Sequence, residues 1–128
     1  MILVDTSIWI ELLNGRRGAG LGEEDLFNFA TCGPVVQEVL QGLRDHPAAA
    51  VFRKAFLALP VLGDPLSVDT FQAAAEIYRQ GRLKGYTIRS SVDCLIAAIA
   101  IEGQTPVWHK DRDFDILSRF TPLRIHTR

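Results

Sequence analysis

Short apolar segments alternate with helical patterns along the chain, and this alternation limits the folds that it can adopt. The first segment, residues 1–5, is an apolar run that stops abruptly at Asp5, and similar short segments cover residues 29–32, 60–62 and 106–108. Apolar runs of this length are typical of strands buried on both faces. Strands that alternate with helices predict an α/β fold, with a parallel sheet covered by helices on both sides.

The helices between these strands are predicted from capping residues and from apolar spacings of three and four. They cover residues 7–14, 21–28, 33–43, 47–59, 67–82, 90–101 and 114–120, and a last strand covers 123–126. The longest helix is rich in alanine and carries Val68, Phe71 and Tyr78 on one stripe. The helix that begins near Ser90 is apolar almost all round, which indicates that it is buried.

Size and composition indicate an ordinary soluble protein. A chain of 128 residues fits one domain, residues 1–128. No apolar run approaches the roughly 20 residues needed to span a bilayer, and the N-terminus lacks the pattern of a signal peptide, so we expect a cytoplasmic protein. Cys32 and Cys94 are too few and too far apart for a disulfide scaffold or a zinc site, and their apolar contexts predict buried thiols.

The charge balance restricts how the chain could bind nucleic acid. The net charge of −1 argues against a protein that binds phosphates through an overall positive excess. Basic residues are nevertheless concentrated locally, at Arg79, Arg82, Lys84 and Arg89 in one segment and at Arg16 and Arg17 in a glycine-rich loop. If the substrate is nucleic acid, bound metal and these basic loops must attract it.

Four acids stand at the edges of hydrophobic elements. They are Asp5 at the end of the first strand, Glu38 within the helix of residues 33–43, Asp93 at the start of the apolar helix, and Asp111 after the strand of residues 106–108. The carboxyl ends of parallel strands are where such sheets bind ligands. Carboxylates gathered there need a cation, which for an all-oxygen site is typically magnesium or manganese. Their repulsion predicts a raised pKa for at least one of them when no metal is bound.

Each of these acids also has a simpler explanation. Asp5 can cap the helix that follows it, and Asp93 lies in a first helical turn, where negative charge is favoured. Glu38 taken alone is typical of a solvent-facing helical glutamate. The argument for a site therefore depends on the acids meeting, and for Asp93 also on the apolar character of its helix, because a partly buried acid needs a partner.

The segment after the strand of residues 106–108 holds a histidine and three alternating acids, of which Asp111 is the first. One of Asp111, Asp113 and Asp115 is expected to serve as a helix cap, and Asp115 is assigned to solvent. His109 could be a general base, but nothing near it in sequence orients it, so a structural role is favoured. The chain contains neither a Gly-x-Ser-x-Gly motif nor a glycine-rich phosphate loop.

Three motifs and one isolated acid resemble the PIN-domain family, and within it the VapC-type toxins of bacterial toxin–antitoxin pairs. The motifs are residues 3–11, 89–98 and 109–114, with Glu38 in the helix after Pro34, in the order and at the spacing that the family uses. The resemblance covers essentially the whole chain. It implies a three-layer α/β/α sandwich around a central parallel sheet.

The resemblance also implies a site and an activity. Asp5, Glu38, Asp93 and Asp111 would bind magnesium or manganese and support endoribonuclease activity. Asp113 matches an auxiliary acid that binds the metal directly or through water. Thr6 or Ser7 would donate hydrogen bonds to the cluster.

The resemblance further implies partners, and the residues leave other functions open. Family members commonly form homodimers and are inhibited by a cognate antitoxin whose tail lies across the active site. The alternatives are a nuclease that acts on DNA or flapped structures, and a PIN-fold RNA-binding or scaffold module without catalysis. Substrate specificity is expected to reside in the loops of residues 15–20 and 81–89.

Overall fold

A computed structural model describes residues 1–14, 26–43 and 47–127 of the chain. The described strands form one parallel sheet in the order β3-β2-β1-β4. They are β1 (Ile2–Val4), β2 (Phe29–Cys32), β3 (Val61–Leu62) and β4 (Val107–Trp108). Leu3 in the middle of β1 is paired with Ala30 on one side and with Val107 on the other. The strand that leads into Asp5 is therefore central, as its apolar sequence predicts.

The described part of the chain also contains six helices that flank this sheet. They are α1 (Thr6–Leu13), α2 (Gly33–Gly42), α3 (Pro47–Leu57), α4 (Val68–Leu83), α5 (Ser91–Glu102) and α6 (Arg112–Ser118). The prediction of an α/β/α sandwich with a central parallel sheet is confirmed. None of the described helices has the length and hydrophobicity needed to cross a membrane. The predicted loop at residues 15–20 and most of the predicted helix at 21–28 lie outside the described residues.

An aromatic cluster holds α1 against the sheet. Trp9 is 2% exposed, and its ring makes edge contacts with Phe29, Phe52 and Phe56 at centroid distances of 5.2–5.9 Å. The indole Nε1 also donates a hydrogen bond of 3.1 Å to the carbonyl oxygen of Val4, which satisfies the buried donor. These contacts fix the turn between β1 and α1, where Asp5 lies.

Helix α5 is the buried helix of the fold, as its sequence predicts. Ser90 caps it by accepting a hydrogen bond from the backbone N–H of Asp93 at 3.3 Å. The buried side chains of α5 are Asp93, Cys94, Ile96, Ala97, Ala98, Ile99 and Ala100. Because a helix packed on so many sides has little freedom to tilt or slide, its first turn holds Asp93 in a fixed place.

Helix α4 packs through a different stripe from the one that its large apolar residues suggest. Val68 is 71% exposed and Phe71 is 50% exposed, whereas Thr70, Ala74 and Gly81 are buried. Small residues face inward because they let α4 lie close to its neighbours. A side chain at Gly81 would collide with Ile88. The large side chains on the other stripe form an apolar surface.

Three short segments also differ from their predicted form. Strand β3 lies at the edge of the sheet, so Val61 is 40% exposed rather than buried. The predicted strand at residues 123–126 is reduced to a single bridge between Val107 and Ile125, because β4 offers only two residues for pairing. The predicted loop of residues 81–89 begins at Lys84, since residues 81–83 still belong to α4.

Candidate metal centre

The order of the strands brings the acids together at one edge of the sheet. Because β1 lies between β2 and β4, the segments that follow these strands emerge side by side, at the point where the strand order reverses. The backbone N–H of Asp5 donates to the carbonyl oxygen of Trp108 at 2.9 Å, and that of Lys110 donates to Ser7 Oγ at 3.2 Å. These bonds tie the β1–α1 turn to the β4–α6 turn.

Three of the five predicted acids form a compact cluster, which we call the acid triad: Asp93, Asp111 and Asp113. One carboxylate oxygen from each lies within 4.8 Å of the others. Asp93 is 9% exposed and Asp113 is 1% exposed. Asp93 Oδ2 and Asp113 Oδ1 are buried and accept no hydrogen bond from the described residues. Buried acceptors are costly when unsatisfied, and oxygen donors suit a hard cation, so the triad fits a magnesium or manganese ion.

Asp5 and Glu38 lie around the acid triad and add to its negative charge. Asp5 is 6% exposed, and its Oδ2 accepts hydrogen bonds from the backbone N–H and the hydroxyl of Ser7, at 3.2 and 2.7 Å. Glu38 projects from α2, and its Oε1 accepts a hydrogen bond of 3.2 Å from Thr6 Oγ1. Both Thr6 and Ser7 therefore donate hydrogen bonds to the acids, as the family resemblance implies.

Burial and the neighbouring negative charges both act on Asp93. Burial first, and then the negative charges of Asp5, Asp111, Asp113 and Glu38, raise the pKa of Asp93 from 3.8 to about 7. The expectation that at least one acid of a metal-free cluster has a raised pKa is confirmed. Asp93 therefore lies within electrostatic reach of the other four acids.

Two of the acids are also helix caps, so the simpler explanation holds for them as well. Asp5 caps α1 through its Oδ2, and Asp111 caps α6 by accepting the backbone N–H of Asp113 on its Oδ1 at 2.9 Å. A carboxylate has two oxygens, and each cap bond uses one of them. Capping therefore orients these acids and is compatible with binding a cation through the other oxygen.

Two basic residues also contact acids in this region. Local sequence patterns did not single them out as partners of those acids. Lys110 Nζ forms an ion pair with Glu11, whose side chain is 7% exposed. The backbone N–H of Arg89 donates to Asp113 Oδ2 at 3.1 Å, and its guanidinium lies against Asp111 and Asp113. These contacts join residues that are far apart in sequence, so spacing alone could not reveal them. The only signal was that all five of these charged residues fall inside the three motifs.

The remaining candidates lie outside the cluster. The side chain of Asp115 is 58% exposed, which agrees with its assignment to solvent. His109 is buried against Phe114, with ring centroids 5.0 Å apart, and its Nε2 lies 3.2 Å from Asp115 Oδ1. These contacts support a structural role for His109. Both cysteines are free and buried, and burial raises the pKa of Cys32 to about 12 and that of Cys94 to about 11.

Comparison with known proteins identifies the family to which the chain belongs. The PIN domain family model matches residues 2–119. The chain belongs to the PIN domain family. This PIN domain is 38% identical over 130 residues to a VapC ribonuclease from Mycobacterium bovis and to Ribonuclease VapC11 from Mycobacterium tuberculosis. Each match covers 97% of this chain and 96% of the relative.

Solved structures share the fold of this PIN domain at low sequence identity. VapBC2 from Rickettsia felis, bound to a DNA fragment from its promoter, superposes with a TM-score of 0.75 at 19% identity, and covers 98% of both chains. A toxin–antitoxin complex from Klebsiella pneumoniae gives a TM-score of 0.72 at 22% identity, over 98% of this chain and all of that one. At this identity the likeness establishes the fold alone.

Proposed function

We propose that this PIN domain is a metal-dependent endoribonuclease and the toxin of a toxin–antitoxin pair. The observation that carries the proposal is the acid triad, with its buried, unsatisfied oxygens at the ligand-binding edge of a parallel sheet. The relatives that are 38% identical over nearly the whole chain are named as VapC ribonucleases, which supports RNA as the substrate.

The five acids would have different roles in binding the metal ion. A magnesium or manganese ion held by Asp93, Asp111 and Asp113 would polarise a phosphate oxygen and lower the pKa of an attacking water. Asp5 and Glu38, oriented by Ser7 and Thr6, supply further negative charge at the rim of the triad. Asp93 must give up its proton before the triad carries its full charge, because its pKa lies near 7.

A basic segment that ends at the triad with Arg89 supports a polyanionic substrate. Arg79 is exposed, and Arg82 lies with its guanidinium carbon 5.9 Å from the centre of the Tyr78 ring. Lys84 follows at the end of α4, and the segment continues to Arg89, which contacts the acids. Such residues would bind phosphates beside the cleaved bond and position the strand without reading its sequence.

Metal dependence and the choice between RNA and DNA are tested in one assay. The purified chain is incubated with RNA and DNA oligonucleotides of matched sequence, with magnesium or manganese and with excess chelator. We expect cleavage of RNA only, its loss in chelator, and its recovery when metal is restored.

Each other outcome of that assay excludes part of the proposal. Cleavage that persists in excess chelator would exclude the metal mechanism. A preference for DNA would favour the alternative of a DNA nuclease. Binding of RNA without cleavage in any metal would favour the non-catalytic module.

We also propose that the chain forms a homodimer and binds a cognate antitoxin. Antitoxin binding is supported by the structural neighbours, which are toxin–antitoxin complexes. A homodimer is supported by the apolar stripe of α4. Phe71 and Val92 are exposed, and they line a groove with Leu95 that extends to Glu38. Exposed apolar grooves of this kind mark surfaces that bind other molecules.

Phe71→Glu is expected to disrupt the homodimer. Loss of an aromatic side chain at the centre of an interface costs about 2 kcal/mol or more, so self-association should weaken by roughly thirtyfold or more. Val51→Glu is the matched control, because Val51 is also exposed but lies on α3. Light scattering on eluting protein measures the mass. A wild-type chain that is monomeric, or a dimer unaffected by Phe71→Glu, would contradict the assignment of this groove.

A further inference from the structure

Arg89 places a positive charge against the acid triad. Its Nε lies 3.7 Å from Asp113 Oδ1, and its Nη2 lies 3.8 Å from Asp111 Oδ1. Among the ion pairs of the described residues, those of Arg89 alone involve acids of the triad. Arg89 therefore offsets part of the charge that a divalent ion would otherwise neutralise.

The guanidinium of Arg89 is held loosely, whereas its backbone is fixed. Both of its distances to the acids exceed the roughly 3.2 Å limit of a good N–H···O hydrogen bond, and the side chain is 58% exposed. The backbone N–H, in contrast, donates to Asp113 Oδ2 at 3.1 Å. The guanidinium can therefore move away from the triad without loss of the backbone contact.

The carboxylates of Asp111 and Asp113 cannot neutralise both a divalent metal ion and the guanidinium of Arg89 at the same time. A divalent ion among three carboxylates is attracted more strongly than a single guanidinium charge at 3.7–3.8 Å, and it would repel that guanidinium. A displaced guanidinium on an exposed side chain would be free to bind a phosphate group of a substrate. Its planar donors match the oxygens of a phosphate group better than any other side chain does.

We propose that Arg89 is the counterion of Asp111 and Asp113 in the metal-free protein, that a divalent ion displaces its guanidinium, and that the freed guanidinium binds a phosphate of the substrate. The last step rests on the proposed ribonuclease function. The first two concern only this chain and a metal ion. Arg89 would thus couple the arrival of the metal to the binding of the substrate.

The counterion role is tested by calorimetric titration of the metal-free full chain with manganese at low ionic strength. Arg89→Gln removes the competing charge, so manganese should bind roughly three- to tenfold more tightly than it does to the wild type. Arg89→Lys keeps the charge and should stay closer to the wild type. Arg79→Gln is the matched control, because it makes the same charge change at an exposed arginine that pairs with Glu76.

A structural role for Arg89 predicts the opposite result. If its guanidinium served mainly to hold Asp111 and Asp113 in place, Arg89→Gln would weaken manganese binding. Unchanged or weaker binding would therefore overturn the counterion role. Thermal unfolding checks that the variant is folded, and the backbone contact with Asp113 does not depend on the side chain.

The phosphate role is tested separately, through the KM for RNA at saturating manganese. Arg89→Gln should raise KM about tenfold, so that the metal binds more tightly while the substrate binds more weakly. Tighter manganese binding with an unchanged KM would overturn the phosphate role. If the wild type cleaves no RNA at all, the proposed function fails, and the manganese titration still decides the counterion role.

Discussion

Asp93→Asn is expected to lower the rate of RNA cleavage by on the order of a thousandfold or more while the protein stays folded. The substitution removes one charge from the acid triad and keeps the size of the side chain. The Ser90 cap of α5 is preserved, because Ser90 accepts from the backbone N–H of Asp93 rather than from its side chain. Initial rates on an RNA oligonucleotide, with circular dichroism as a check of folding, measure the effect.

Asp69→Asn is the matched control for this prediction. Asp69 lies in the first turn of α4, as Asp93 lies in the first turn of α5, but it is exposed. The control should cleave RNA within about twofold of the wild-type rate, since exposed charges interact weakly. In cells, expression of the wild type should arrest growth and Asp93→Asn should not. Undiminished toxicity of Asp93→Asn would point to a function based on binding alone.

The metal-free protein is expected to lose stability as the pH rises toward 7, because of Asp93. Its pKa is raised from 3.8 to about 7, so between these values the native state holds a proton that the unfolded state has lost. The free energy of unfolding therefore falls as the pH rises through this window. At about 1.4 kcal/mol per pKa unit, the loss attributable to Asp93 is at most about 4 kcal/mol.

Comparison with Asp93→Asn isolates this effect from other titrating groups. In chelator, the variant and the wild type should have similar stability near pH 4, and the variant should become the more stable of the two as the pH approaches 8. Urea unfolding at several pH values measures the difference. Manganese should restore the wild type at high pH and have little effect on the variant. Stability curves that stay parallel in chelator would show that Asp93 titrates normally.

The elements that could be predicted from sequence are those that are apolar along most of their length and must therefore be buried. The apolar runs of β1 and β2 and the apolar helix α5 can only be buried, and their predicted positions agree with the structure to within a few residues. The inward face of α4 could not be predicted, because its alanines and glycine allow close packing while its large residues remain outside. The edge position of β3 follows from the order of the strands, which short runs do not specify.

The sequence indicated which acids form the candidate site, but not how deeply each is buried or which residues it contacts. The positions of Asp5, Asp93 and Asp111 at the ends of elements indicated convergence at one edge of a parallel sheet. The contrast between Asp113, which is 1% exposed, and Asp115, which lies in solvent, depends on how α6 is rotated against the sheet. The contact of Arg89 with Asp113 joins two segments 24 residues apart and needed the tertiary structure.

Asp5 and Asp111 are both helix caps and candidate metal ligands, and this double role determines what a single-base mutation at either position would do. Asparagine caps helices about as well as aspartate does, so Asp5→Asn or Asp111→Asn should preserve α1 and α6 while it removes a charge from the centre. Aspartate and asparagine codons differ by one base. A folded but inactive form of the chain is therefore a single point mutation away at either position. Such a form would keep the outer surface of the active protein and act as a decoy for whatever binds it.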